Sequence, residues 1–302
     1  MTHVATLISD PAKPALDDAA IALAVGVLTT AQDMRVLDPG IAVDLPFTPS
    51  GADDQAIARR LQAALGGLRI DVVVQPLAGR RKTLFVADMD STMIGQECID
   101  ELADYVGLKA HVAAITERAM RGEIAFEPAL RERVALLKGL PVAVVDEVIR
   151  ERITLTPGAR TLIATMRQNG GTTCLVSGGF TLFTSRVGAM IGFDENRGNT
   201  LVVEDGRLAG RVEEPILGRE AKLVTLIELR DRLGLAASET LAAGDGANDL
   251  AMIEAAGLGV AYHAKPKVAD AAHARIDHSD LTALLYLQGY RQNEFAERED
   301  PS

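Results

Sequence analysis

Thr83-Leu84-Phe85-Val86-Ala87-Asp88-Met89-Asp90-Ser91-Thr92 passes from an unbroken apolar run into two acids and two hydroxyls. A short run that is apolar at every position, and not only at every second one, fits a strand buried on both faces of a parallel sheet. Two later runs have the same form. Thr172–Val176 ends in Ser177-Gly178-Gly179, and Thr240–Ala243 ends in Gly244-Asp245-Gly246-Ala247-Asn248-Asp249. Ligands of open α/β sheets sit outside the carboxyl ends of the strands. The three strand ends therefore bring acids, a hydroxyl, an amide and several glycines to one crevice.

Outward from the first strand, residues 96–150 are helical over Glu97–Tyr105, Ala110–Arg121, Ala125–Leu137 and Val142–Glu151, and Leu155-Thr156-Pro157-Gly158 breaks the run. Helices over Ala159–Asn169, Phe180–Ile191, Arg219–Leu233 and Leu250–Ala256 then alternate with strands, the last at Leu258–Tyr262. Leu201–Val212 reads as a hairpin around Asp205-Gly206. This alternation predicts an α/β fold: a Rossmann-like parallel sheet over residues 83–290, with an all-helical cap inserted at about 95–155.

Residues 1–78 read as a separate α+β unit. Val4–Ser9, Ala15–Thr30, Asp33–Leu37, Gly40–Phe47, Asp53–Leu65 and Arg69–Gln75 give the order β-α-β-β-α-β of a ferredoxin-like sandwich. It carries no catalytic constellation and is expected to serve packing or homodimerisation in preference to ligand sensing. Leu77–Lys82 reads as a linker, and the polar tail over 291–302 as a disordered end.

The 302 residues are 48% hydrophobic, 24% charged and only 4% aromatic, so the core must be aliphatic. The net charge of −11 disfavours a nucleic-acid or anionic-membrane surface. It leaves room for a small phosphorylated substrate, which needs only local cations or a metal. Cys98 and Cys174 form no CxxC pair or zinc cluster and read as reduced thiols. No apolar run is long enough to span a bilayer, and the first residues do not read as a signal peptide, so a cytoplasmic location is expected.

A cluster of acids this dense calls for a cation, and carboxylate and carbonyl oxygens suit magnesium. Helix N-capping could explain one of the acids, but not two acids two residues apart with another pair on a different strand. Asp88, at the strand end, reads as a nucleophile that is already ionised at neutral pH and attacks phosphorus. Asp90 reads as the general acid, then base. Ser177 with the Gly178 and Gly179 amides can hold phosphate oxygens at a helix start. Lys222, taken alone, is an ordinary surface lysine; the rest of the set makes it a phosphate clamp.

Asp88-x-Asp90-x-Thr92, Ser177, Lys222 and Gly-Asp245-Gly-x-Asn248-Asp249, in that order, resemble the haloacid dehalogenase superfamily of phosphohydrolases over roughly residues 83–275. A closer resemblance is to bacterial phosphoserine phosphatases. It rests on Gln96-Glu97-Cys98-Ile99-Asp100 and on the cap stretch Met120-Arg121-Gly122 with Phe126-Glu127-Pro128-Ala129-Leu130-Arg131-Glu132-Arg133-Val134-Ala135-Leu136-Leu137-Lys138-Gly139-Leu140.

The resemblance implies hydrolysis of O-phospho-L-serine through an aspartyl-phosphate, the last step of serine biosynthesis. It implies Mg2+ on the side chains of Asp88 and Asp245 and the Asp90 carbonyl, supported by Asp249. Ser177 and Lys222 would hold the phosphoryl group, and Asn248 would contact phosphate or substrate. Glu97 would take the substrate ammonium, Arg133 its carboxylate, and Met120 and Phe126 would form an apolar lid. Read from the residues alone, Arg133 is a solvated helix charge and Glu97 a helix N-terminal acid. The N-terminal unit resembles ACT-like amino-acid-binding modules in topology only.

Three alternatives stay open from sequence. One is a phospho-acceptor signalling domain, which would release no phosphate. The others are a related phosphatase, or a phosphotransferase, acting on a different small phosphomonoester. A sugar phosphate offers neither charge that Glu97 and Arg133 would need.

Overall fold

The computed structural model describes residues 1–28, 33–49, 51, 53–120 and 123–296. The N-terminal unit comprises β1 (His3–Ser9), α1 (Asp18–Val27), β2 (Arg35–Asp38), β3 (Ala42–Phe47), α2 (Asp54–Ala64) and β4 (Ile70–Pro76). Its strands lie in the order β2-β3-β1-β4 with every neighbouring pair antiparallel, the ferredoxin-like arrangement. Both helices start where an aspartate can accept a free backbone N–H: Asp17 from Ala20 at 2.8 Å and Asp53 from Ala56 at 2.6 Å. Leu7, Val43, Leu45, Leu61, Val72 and Val74 fill the space between sheet and helices.

The chain continues through β5 (Leu84–Ala87), α3 (Cys98–Asp104), α4 (Lys109–Met120), α5 (Phe126–Ala135), α6 (Ala143–Glu151), α7 (Ala159–Gln168), β6 (Thr172–Phe180) and α8 (Thr181–Ile191). Then come β7 (Glu195–Asn199), β8 (Leu201–Glu204), β9 (Arg207–Val212), α9 (Arg219–Arg232), β10 (Thr240–Gly244) and α10 (Leu250–Ala255). The last elements are β11 (Leu258–Tyr262), α11 (Pro266–Ala271), β12 (Ala274–Ile276) and α12 (Ala283–Leu287).

Six strands form one all-parallel sheet in the order β12-β11-β10-β5-β6-β7. The central position of β5 explains its unbroken apolar character. Leu84 and Val86 join a core with Leu226 and Leu229 of α9 and Met252 of α10, while Phe85 joins the opposite core with Ile163 of α7 and Val187 of α8. Among the described residues no helix is long and apolar enough to cross a membrane.

The cap leaves and re-enters the core through adjacent segments. Gly95 donates to the Thr154 carbonyl at 3.1 Å and Thr156 to that of Met93 at 3.0 Å. The cap is not purely helical as expected. The β8–β9 hairpin docks on it, with Gly139 donating to Leu208 at 2.8 Å and Leu208 to Leu140 at 2.9 Å.

The expected linker is also different from an exposed tether. Arg80 is 7% exposed and its guanidinium binds Asp44 at 2.6 Å and the carbonyls of Tyr286 and Leu287 at 2.9 Å each. Asp71 of β4 accepts from the backbone N–H groups of Asp277 (2.8 Å), His278 (3.2 Å) and Ser279 (2.8 Å). Both ties are polar, which hides them from a reading of apolar periodicity. The first part of the expected disordered end is ordered: Phe295 packs on Tyr286 with ring centroids 5.1 Å apart and Glu294 pairs with Arg81 at 2.9 Å. Residues 297–302 lie outside the described residues.

Candidate active site

The carboxyl ends of β5, β6 and β10 open into a cavity of about 920 Å³ roofed by the cap. Asp88, Asp90, Glu97, Phe126, Arg133, Ser177, Gly178, Gly179, Asp245 and Asn248 line it together. Lys222 and Asp249 do not: they lie behind Asp88, 2% and 0% exposed. The side chain of Met120 lies outside the described residues.

Immediately after β5 the backbone is forced into an irregular turn over Met89–Met93. Ser91 adopts φ +56°, in the left-handed region that side chains other than glycine enter at a cost. The turn separates the two acids. Asp88 stays at the floor, with its carboxylate accepting from Met89 N–H at 2.8 Å. Asp90 faces the cap, with one oxygen accepting from Cys98 N–H at 2.9 Å and the other from the Ser177 hydroxyl at 3.0 Å. The strained Ser91 donates its hydroxyl to Glu97 at 2.8 Å, which fixes that acid at the start of α3.

At the end of β6 the pairing register with β7 shifts between Val176 and Phe180, so Ser177-Gly178-Gly179 leaves the ladder and turns into the cavity. Gly179 donates to the Ser177 oxygen at 2.8 Å. A Cβ on Gly178 would come within 3.1 Å of the Phe126 ring, so this glycine is what lets the cap approach. Asn199, which sequence reasoning passed over, braces this turn: it donates to Gly178 at 2.8 Å and accepts from Leu217 at 2.7 Å.

Asp88, Asp245 and Asp249 place carboxylate oxygens within 4.8 Å of one another. Lys222 lies 2.6 Å from Asp88 and 2.5 Å from Asp249, and Gly246 N–H donates to Asp249 at 3.0 Å. Lys222 thus pairs with two of the three buried acids, while Lys265 acts on Asp245 ahead of Lys222. Burial first, then Asp249 and Asp245, push the Asp88 carboxyl well above the ordinary range against the pull of Lys222. Burial and Asp249 raise Asp245 to about 6. Burial opposes the charge on Lys222, but Asp249 and Asp88 outweigh it and hold its pKa above the usual value. This surplus of negative charge on oxygen donors fits a divalent cation.

On the cap side, burial and then Asp90 raise Glu97 to about 8. Arg133 is 6% exposed, buried where the sequence reads as a solvated charged run. Its Nε donates to the Ala129 carbonyl at 3.1 Å and its Nη1 to the Thr116 hydroxyl at 2.9 Å. Burial lowers its pKa, opposed by Asp100 and Glu97. Thr116 and Lys267, which sequence reasoning also passed over, line the cavity as well.

Residues 85–254, more than half of the chain, match the family model of haloacid dehalogenase-like hydrolases. A phosphoserine phosphatase of Polaromonas sp. is 48% identical over 73% of this chain and 96% of its own length. One of Streptomyces coelicolor is 45% identical over 82% of this chain, but the match takes in only 61% of that protein. The chain belongs to the phosphoserine phosphatase family of haloacid dehalogenase-like hydrolases. A solved structure of this family, described as a phospho-aspartyl intermediate analogue of phosphoserine phosphatase, superposes with a TM-score of 0.64 at 39% identity. It covers 68% of this chain and 98% of its own. Polaromonas and the phospho-aspartyl structure thus match almost end to end within a part of this chain, and the family match starts at β5.

Proposed function

We propose that the chain hydrolyses O-phospho-L-serine to L-serine and phosphate through an aspartyl-phosphate on Asp88. The observation that carries this reading is one cavity in which an acid and a fork-shaped cation of the cap, Glu97 and Arg133, face buried Asp88 on the floor. Phosphoserine presents an ammonium, a carboxylate and a phosphate, which match these three groups. The phospho-aspartyl form of a relative supports the same chemistry.

In the first half-reaction a carboxylate oxygen of Asp88 bonds to phosphorus while the bond from phosphorus to the serine oxygen breaks. Asp90 gives its proton to that leaving oxygen. In the second half-reaction Asp90 takes a proton from water, whose oxygen attacks phosphorus, and the bond to Asp88 breaks. The Ser177 hydroxyl and the N–H groups of Gly178 and Gly179 hold phosphoryl oxygens, and Asn248 contacts the bound phosphate. Lys222 acts from behind Asp88, favouring its ionised form and aiming it. Phe126, with Met120, closes the apolar roof over the substrate.

Asp88, Asp245 and the Asp90 carbonyl would hold Mg2+, with Asp249 supporting them. The ion supplies charge neutralisation on the phosphoryl oxygens and on the clustered acids. A cytoplasmic setting belongs to the same reading and is supported by two buried free thiols, Cys98 and Cys174. So does a homodimer through the N-terminal unit, for which Met34 and Val36 at the β2 edge offer exposed apolar surface; sedimentation analysis would reveal it.

The test is phosphate release from L-phosphoserine, with and without Mg2+, against sugar phosphates and nucleotides. Selective, Mg2+-dependent release from phosphoserine is expected. Release from the panel but not from phosphoserine would remove the roles of Glu97 and Arg133, and no release at all would favour a phospho-acceptor.

A further inference from the structure

Asn199 closes β7, an edge strand of the parallel sheet, and pairs in register with Phe180, the last residue of β6. It is 2% exposed, a polar side chain buried at the end of a strand with no apolar pattern of its own. Its amide is fully used. The two Nδ2 protons go to the Gly178 carbonyl at 2.8 Å and the Leu217 carbonyl at 3.1 Å, and Oδ1 accepts from the Leu217 N–H at 2.7 Å. One side chain therefore ties two separate loops together.

The first loop is the turn that carries Ser177, Gly178 and Gly179 into the cavity. The second leads into α9, where Gly218 precedes the helix and Lys222 lies one turn inside it, 2.6 Å from Asp88. Both loops also meet the cap at one ring. A Cβ on Gly178 would lie 3.1 Å from Phe126, and one on Gly218 would lie 3.7 Å from it, so the ring rests over the seam that Asn199 closes. The end of β7 comes this close because position 198 is glycine: a Cβ there would lie 3.2 Å from the Gly179 carbonyl oxygen and from the Thr181 nitrogen.

We propose that Asn199 is a positioning residue for the phosphoryl group. It locks the turn of Ser177, Gly178 and Gly179 to the head of the Lys222 helix. That clamp fixes the donors for phosphoryl oxygens at one distance from the Asp88 carboxylate, which Lys222 holds from the other side. Without it the Gly178 carbonyl loses its side-chain donor, and the turn can rotate its N–H groups out of line.

This inference rests on Ser177, Gly178 and Gly179 receiving the phosphoryl group. The probe is orthovanadate, a tetrahedral mimic of phosphate, titrated with Mg2+ present and read by calorimetry. A wild-type protein that binds no orthovanadate would remove the phosphate site and this proposal with it. Failure to hydrolyse phosphoserine removes only the substrate reading, because the orthovanadate titration still judges Asn199.

Asn199→Asp keeps the shape and the acceptor for the Leu217 N–H but sets an oxygen against two carbonyls. It should weaken orthovanadate binding about tenfold. The rise in Tm on adding Mg2+, which the acid cluster governs, should match the wild type. An unchanged orthovanadate affinity would overturn the proposal. So would a parallel loss of the Mg2+ response, which marks a general loosening of the fold. If Asn199→Asp does not fold, Asn199→Ser, which introduces no charge, decides by the same two readouts.

Discussion

The Lys222 ammonium lies 2.6 Å from the Asp88 carboxylate, and both side chains are sealed from solvent. The pair does structural and chemical work at once, because Asp249 and Asp245 crowd the same space. Lys222→Met keeps the length of the side chain and removes its charge. It should destabilise the protein by about 3–5 kcal/mol, the range for a buried charge left without its partner. Calorimetry in the presence of a chelator would read this loss, and an unchanged Tm would mean that the acids are protonated in the folded state.

Asp88→Asn removes the proposed nucleophile and one of three crowded acids. Turnover of phosphoserine should fall by at least about a thousandfold. The Tm without metal should hold or rise, since burial and like charge already disfavour the ionised form of Asp88. Retained turnover would move the covalent step to another residue.

A divalent cation should raise the Tm by mass action, by about 2.7 kcal/mol of stability at a hundredfold excess over its Kd. Asp245→Asn should shrink that shift, because it removes one of the three clustered carboxylates. A full Mg2+-induced shift in Asp245→Asn would place the ion elsewhere.

Glu97 has a folded pKa of about 8 against an ordinary 4.5. Between those values the folded protein keeps a proton that the unfolded chain has released. Its contribution to stability therefore declines as pH rises through this window, and the decline is complete above the folded value. Glu97→Gln should flatten that part of a Tm-against-pH curve. An ammonium bound beside Glu97 favours its ionised form, so phosphoserine binding to Asp88→Asn at about pH 7 should release protons. Calorimetry in two buffers of different ionisation enthalpy would count them, and Glu97→Gln should abolish the release.

Gly158, where the cap returns to the core, has φ +80°, and a Cβ there would lie 2.7 Å from the Thr282 nitrogen. Gly158→Ala should cost about 1–3 kcal/mol. Thermal denaturation would measure it, and a neutral result would mean that the segment before α12 can move aside.

The parts of the fold that were legible are those in which each strand or helix carries its own apolar pattern. β5, β6, β10 and the four cap helices fall in this group, and so do the strand-end acids. β7 did not, because Glu195-Asn196-Arg197-Gly198-Asn199 has no apolar alternation and is a strand only through pairing with β6. The docking of the β8–β9 hairpin on the cap was invisible for a related reason: its ties to Gly139 and Leu140 are backbone bonds. Within the site, Thr116 and Asn199 were missed because each acts on another side chain or on a loop. Charge spacing along α5 made Arg133 look solvated, and only the packing of α4 against it reveals a buried guanidinium.

The three backbone bonds that Asp71 receives from Asp277, His278 and Ser279 have a practical consequence for cutting and splicing this chain. The next residues of the same loop lead back to the cap junction, where Leu281 donates to the Pro157 carbonyl at 3.1 Å. A fragment beginning at β5 would keep every catalytic candidate yet leave that loop without its anion. A chimera that grafts a foreign N-terminal unit onto this core would work best if the incoming unit offers an acid in the same register of its last strand.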